Sequence, residues 1–325
     1  MFGGLIILLP LLGVAATLVV VLVAVPRRRA LVAVNEVDFP GLAHLRRSTM
    51  LTRPLALVLG LAVAAPVALV GRLGLGLALV PAVFAAVQVL GVLVGDLVAR
   101  HDARTPGTAG LEVRRVRDLV PARLTRLTAL AAGALTVLLA WATVVASPDD
   151  RGRAGRWLSY TCAEDCTSAA LGPWPGSFYS VPLALALLAV AGLGALAVVV
   201  TVRRPRNGAD AEILRVDDAV RRRSVESVIA SMGVAVSATL TGCGVLAGLG
   251  LVGESRAPLG LQIAGWVSLA AGLTSLVLLA WCLVLLIVPG GPGAEEGRAR
   301  PFAGTPGAPG SSDQPVGTDG RGRTG

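Results

Sequence analysis

Apolar residues run along this chain in long blocks, and the charged residues are gathered into the stretches between them. A helix needs about 20 mostly apolar residues to cross ~30 Å of hydrocarbon at ~1.5 Å per residue. Seven stretches approach or exceed that length: Gly3–Val25, Leu55–Val70, Leu73–Val98, Leu127–Ala146, Val181–Val202, Val228–Val252 and Leu259–Val288. The Leu55–Val70 stretch is the weakest, being short and carrying Pro66, though Leu51, Thr52 and a snorkelling Arg53 would lengthen it. The pattern predicts an all-α fold, a polytopic transmembrane helix bundle of about seven spans within residues 1–288. Residues 147–180 form an external loop inside it. Residues 289–325 read as a disordered cytoplasmic tail: 17 of these 37 are Gly or Pro, and no apolar periodicity offsets the entropy of ordering them.

Charge then sets the expected orientation. All 29 basic residues are arginine, and 24 of them lie in residues 26–54, 99–126, 203–227 and the tail. The alternate connections hold only five: Arg72, Arg151, Arg153, Arg156 and Arg256. Short arginine-rich loops stay in the cytoplasm, which predicts an N-terminus outside and a C-terminus inside. The first stretch lacks a basic region ahead of it and exceeds the ~7–15 apolar residues of a signal peptide, so it reads as an uncleaved anchor. The net charge of +9 is explained by loops lying beside anionic headgroups, so the bilayer is the expected partner and nucleic acid is not. The absence of lysine excludes retinal and pyridoxal Schiff bases. A multi-pass protein of a bacterial plasma membrane is the expectation.

Two arginine-rich loops carry a similar stretch 100 residues apart: EVRRVRDLVPAR from Glu112 to Arg123, and EILRVDDAVRRR from Glu212 to Arg223. Glu112, Arg115 and Asp118 match Glu212, Arg215 and Asp218. Val113, Val116, Val120 and Leu124 recur at helical intervals, while Arg115 can pair with Asp118, and Arg215 with Asp218, three residues on. Each stretch is expected to form a short amphipathic helix at the cytoplasmic interface, anchoring the chain or docking a partner. Duplication of a hairpin unit and chance similarity both remain open.

The external loop holds five of the twelve aromatic residues, Trp157, Tyr160, Trp174, Phe178 and Tyr179, together with Cys162 and Cys166. A Cys-x3-Cys pair in an oxidising space most simply forms a small disulfide loop; free or intermolecular thiols are the alternative. The loop contains no histidine to complete a zinc site. The aromatics of the Gly172-Pro-Trp-Pro-Gly-Ser-Phe-Tyr179 stretch suit an interfacial belt at the outer end of the fifth span, or a platform for a ligand or partner capped by the disulfide. Cys243 and Cys282 fall at different depths and should not pair.

Candidate chemistry inside the membrane is sparse. Asp96, with Arg100 four residues on, reads as a surface-level ion pair at the end of its span. Ser237, Thr241, Gly244 and Gly248 share one helix face, and Gly91 and Gly95 form a GxxxG; small residues of this kind let helices approach closely. Gln88, Ser237 and Thr241 are therefore candidates for either a packing face or a substrate path, with Gln262 a further buried-polar candidate. No catalytic constellation, metal set or cofactor motif is found. Glu295-Glu296 with Arg300 fits the EExxxR of membrane proteases only literally, since it sits in the tail without partner histidines.

The Asn35-Glu-Val-Asp-Phe-Pro40 stretch and the cysteine-containing loop that ends Pro173-Trp-Pro-Gly-Ser-Phe-Tyr-Ser-Val-Pro182 resemble those of uncharacterised multi-span membrane proteins of high-GC, actinomycete-type bacteria. The resemblance implies no activity and carries over no functional residue. The expectation is a non-enzymatic membrane subunit or partner protein; a permease or exporter of a neutral or apolar compound is the alternative. Single cysteines engineered into 99–126 should react with an impermeant thiol reagent only after the cells are permeabilised. Labelling from outside intact cells would overturn the orientation.

Overall fold

The computed structural model describes residues 43–101, 119–162, 168–204 and 211–287. The expected span Gly3–Val25 and the expected tail lie outside these residues, as do Glu112, Arg115, Asp118 and Cys166.

The described residues form α1 (Ala43–Val67), α2 (Leu75–His101), α3 (Ala122–Val144), α4 (Ser177–Arg203), α5 (Ala211–Val252) and α6 (Leu259–Ile287), with two short strands, β1 (Leu158–Tyr160) and β2 (Ala169–Leu171). Among the described residues, five helical stretches are long and apolar enough to cross a membrane: Leu75–Val98, Ala122–Val144, Ser177–Arg203, Asp217–Val252 and Leu259–Ile287. Large apolar side chains face outward from them, Val137 at 70% exposure and Val277 at 72% among them. A soluble bundle hides such residues, whereas lipid solvates them. The chain is a membrane protein of the helical class.

Helix α5 is the centre. Its span is 56% buried against 22–33% for the other four, and it packs against α2, α3, α4 and α6. Its seam with α6 is built on small residues. A Cβ on Gly244 would stand 2.6 Å from the Ser268 carbonyl oxygen and 3.0 Å from the Gly272 Cα; one on Gly248 would stand 2.9 Å from the Gly265 carbonyl oxygen. Backbones this close leave no room for a side chain. Thr241 and Ser275 share a hydroxyl contact of 2.6 Å across the same seam.

Helix α1 packs on α2 in the same manner, with a Cβ on Gly91 falling 2.6 Å from Ala56 Cβ. The stretch expected at Leu55–Val70 departs from expectation. Its helix begins at Ala43, its apolar part is Pro54–Val67, and the chain turns out of it before Val70. That turn needs left-handed backbone at Gly71 (φ 93), Leu73 (φ 57) and Gly74 (φ 75). Tyr179 at the start of α4 donates its hydroxyl to the Leu73 carbonyl at 2.6 Å and holds the turn in place.

A second correction concerns residues 212–223. They are not a separate interfacial helix but the first turns of α5, 42 residues long and about 63 Å at ~1.5 Å per residue. An interfacial helix would expose its charged face; here Asp217, Arg221 and Arg223 are buried against other helices. The matching positions differ in setting, because Arg123 is exposed where Arg223 is buried.

Between α3 and α4 the chain forms an antiparallel β1–β2 hairpin with Leu158 opposite Leu171. Leu158, Tyr160 and Trp174 pack with Ala142, Leu251 and Ala257 into a small core that closes this end of the bundle. Gly244→Leu should unseat α6 from α5 and lower the melting temperature by about 5 °C or more, as overpacking of a closed seam does. The same change at Gly242, whose Cβ would meet nothing within 4 Å, should leave it nearly unchanged. Equal effects at the two glycines would contradict the seam.

Candidate functional site

The polar residues that stand out are gathered at the bundle end opposite the hairpin, around Arg204. The residue caps α4 with extended backbone (φ −61, ψ 133), so the chain leaves the helix there and the side chain turns inward. Its guanidinium lies 3.4 Å from Asp96 Oδ1 on α2 and 2.5 Å from Asp217 Oδ1 on α5. Arg221 donates from Nε to Asp217 Oδ2 at 2.8 Å and from Nη1 to the Arg204 carbonyl oxygen at 2.7 Å. Thr201 Oγ1 lies against Asp96 Oδ2 and the Ala197 carbonyl, and Ser224 Oγ is 3.4 Å from Asp96 Oδ1. Arg204, Arg221, Asp96 and Asp217 are all buried, at 5% exposure or less.

Two positive and two negative charges make this quartet formally neutral. Neutrality matters because an isolated charge at this burial would be prohibitively unfavourable. Each carboxylate touches an arginine, and each arginine touches a carboxylate or a carbonyl. Beside the quartet, Arg223 reaches Glu226 Oε2 at 2.5 Å and the Leu285 carbonyl oxygen near the end of α6. The arginine end of α5 is thus tied by charge to α2, to the end of α4 and to α6.

A cavity of about 30 Å³ opens next to Asp96. Its polar lining is Gln88 and Asp96 from α2 and Ser224, Ser227 and Ser231 from α5. Gln88 Nε2 donates to the Ala56 carbonyl of α1 at 2.8 Å.

Asp96 is therefore not at the surface level expected of it: it is 4% exposed, and among the described residues its partners come from α4 and α5; the side chain of Arg100 lies outside the described residues. The three residues singled out as packing face or path do not meet. Gln88 lines the cavity, whereas Ser237 and Thr241 lie in the α5–α6 seam. There Ser237 Oγ donates to the Gly233 carbonyl at 2.5 Å, and the Ser237 carbonyl accepts from Ser275 at 3.2 Å. Gln262 donates to the Ala257 carbonyl at 2.9 Å at the start of α6. Glu212 and Arg215 lie in the first two turns of α5, and Asp218 is half-buried further along it. Sequence reasoning missed Arg204, Thr201, Asp217 and Arg221. The four-residue spacing of Asp217 and Arg221 is the signal in the sequence that points to two of them.

At the other end Cys162 is disulfide-bonded, while Cys243 and Cys282 are free. Asp149 organises the loop: its Oδ1 accepts the backbone N–H of Arg151 at 3.0 Å and of Arg153 at 2.8 Å, and Arg153 Nε reaches Oδ2 at 2.7 Å. Burial pushes the Asp149 carboxyl upward, but these donors and the Arg153 charge outweigh it and hold it below its ordinary value. Arg156 stacks on the Phe178 ring at 4.1 Å. Trp174 packs edge-on to Trp141 and donates to the Ala142 carbonyl at 2.9 Å. Trp174, expected in a belt, is thus a core residue of the loop, and Tyr160 is buried beside it.

No protein family, curated protein or solved structure matches this chain. The class is that of a helical membrane protein whose most concentrated polar chemistry, among the described residues, is a buried, formally neutral charge cluster.

Arg204→Ala should remove about 3–5 kcal/mol of stability, because it leaves Asp96 and part of Asp217 buried without a counter-charge. Thermal unfolding of the purified protein in detergent measures this. A melting temperature within a degree of wild type would show that the cluster is hydrated and weakly coupled.

Proposed function

We propose that this protein is a non-enzymatic, seven-span subunit or partner protein of a bacterial plasma membrane, with its N-terminus outside and C-terminus inside. The orientation rests on the arginine distribution. The quartet also lies at the end of the bundle reached by the arginine-rich connections, and the disulfide-bearing loop lies at the end with few arginines.

One observation carries the subunit reading. The described helices close on one another, and the cavity among them holds about 30 Å³, room for about two water molecules. It does not extend along Ser237 and Thr241, which are occupied in packing α5 on α6. A larger solute would not fit in that cavity. The loop at one end and the charged start of α5 at the other are the surfaces this reading assigns to partners.

The exporter reading keeps one observation in its favour, the buried Asp96 beside a polar cavity, since an ionisable group at a span's end can couple to transport. Chemical crosslinking in membranes, then purification in mild detergent and native mass spectrometry, separates the two. A stoichiometric complex containing a second membrane protein is the expected result. Recovery of this chain alone, or only of copies of itself, would overturn the subunit reading.

A further inference from the structure

The cavity beside Asp96 has a lining that calls for an occupant. Gln88 and Ser227 are buried, at 5% and 4% exposure. Gln88 spends its amide N–H on the Ala56 carbonyl, and among the described residues its Oε1 has no hydrogen-bond partner, nor does Ser227 Oγ. Ser231 donates to the Ser227 carbonyl at 2.8 Å, which leaves its own oxygen free to accept. Ser224 reaches Asp96 only at 3.4 Å. Buried polar atoms without protein partners are normally met by ordered water, and a cavity holds a water when it offers about 10–15 Å³ and two or more partners. At about 30 Å³ there is room for two.

We propose that this cavity is a hydration site that binds about two ordered water molecules, linking Gln88 and Ser227 to the carboxylate of Asp96. Gln88 and Asp96 stand two helical turns apart on α2, about 12 Å along the axis, and Ser224, Ser227 and Ser231 follow one face of α5 alongside. The waters extend the charge cluster inward as a hydrogen-bonded column. A metal cation is the poorer occupant. Arg204 already stands 3.4 Å from Asp96, and a second positive charge would be repelled by it in a site of low dielectric. An apolar occupant would leave the same oxygens unmet.

The sign of one substitution tests the proposal. Ser227→Ala removes a hydroxyl without adding bulk. If water fills the cavity, the change strips a partner from it and lowers the melting temperature by about 2–4 °C. In a dry cavity the same change removes an unmet polar group, and the melting temperature stays level or rises; that result overturns the proposal. Should Ser227→Ala not yield folded protein, Ser227→Cys, which keeps the volume and replaces the hydroxyl by a weakly hydrogen-bonding thiol, gives the same two outcomes. Replacing sodium by N-methylglucamine in the buffer should leave the wild-type melting temperature unchanged. A sodium-dependent increase that Ser227→Ala abolishes would assign the site to a cation and overturn the assignment to water.

Discussion

Arg204 ends α4, turns its side chain into the bundle and there meets a carboxylate from each of two other helices. The rest of the arginine end follows from that contact. A guanidinium presents its donors in a fixed planar fork, so one group can face Asp96 and Asp217 at once where a lysine ammonium would serve as a single point charge. Arg221 then closes the ring on the Arg204 carbonyl, which ties the path of the backbone after α4 to the position of α5. Lipid drives apolar helices together only weakly, because hydrocarbon tails solvate them as well as their neighbours do. A ring of paired charges supplies direction that the apolar surfaces cannot.

Two kinds of contact therefore divide the work along α5. Toward the hairpin end, closeness of backbones does it: Gly244 and Gly248 let α6 lie within van der Waals reach, and Thr241 with Ser275 adds hydroxyl contact across the seam. Toward the arginine end charges and serines take over, and the cavity opens beside Asp96. The 42 residues of α5 are long enough to carry both regimes, since a span consumes only about 20 of them.

How much of this the sequence disclosed depends on the range of the interaction. The spans at 73–98, 127–146, 181–202 and 259–288 were legible because hydrocarbon thickness acts on consecutive residues. The face of Ser237, Thr241, Gly244 and Gly248 was legible because it recurs within one helix, and its α6 counterparts Gly265, Ser268, Gly272 and Ser275 carry the same kind of spacing. The quartet was not legible. Asp96 offers a plausible local partner in Arg100, whereas Arg204, which the fold brings to it, is 108 residues away and comes from a helix end that reads as a charged loop. The charges of residues 212–223 suggested solvent for the same reason: helical spacing shows which residues share a face, not whether another helix covers it. The hairpin loop fell between these cases. Its aromatics were conspicuous, but only the tertiary fold turns Trp174 and Tyr160 into core.

Coupling of Asp96 and Arg204 as a buried pair is what holds this end of the bundle in register. The direct measurement is a double-mutant cycle on thermal stability with Asp96→Asn, Arg204→Met and the two combined. The combined variant keeps Asp217 paired with Arg221 and remains neutral, so it should lose clearly less than the two single losses together, with a coupling of about 1–3 kcal/mol. Single losses that simply add would show the two residues to be independent, and the charge cluster would not be what holds α2, α4 and α5 in register.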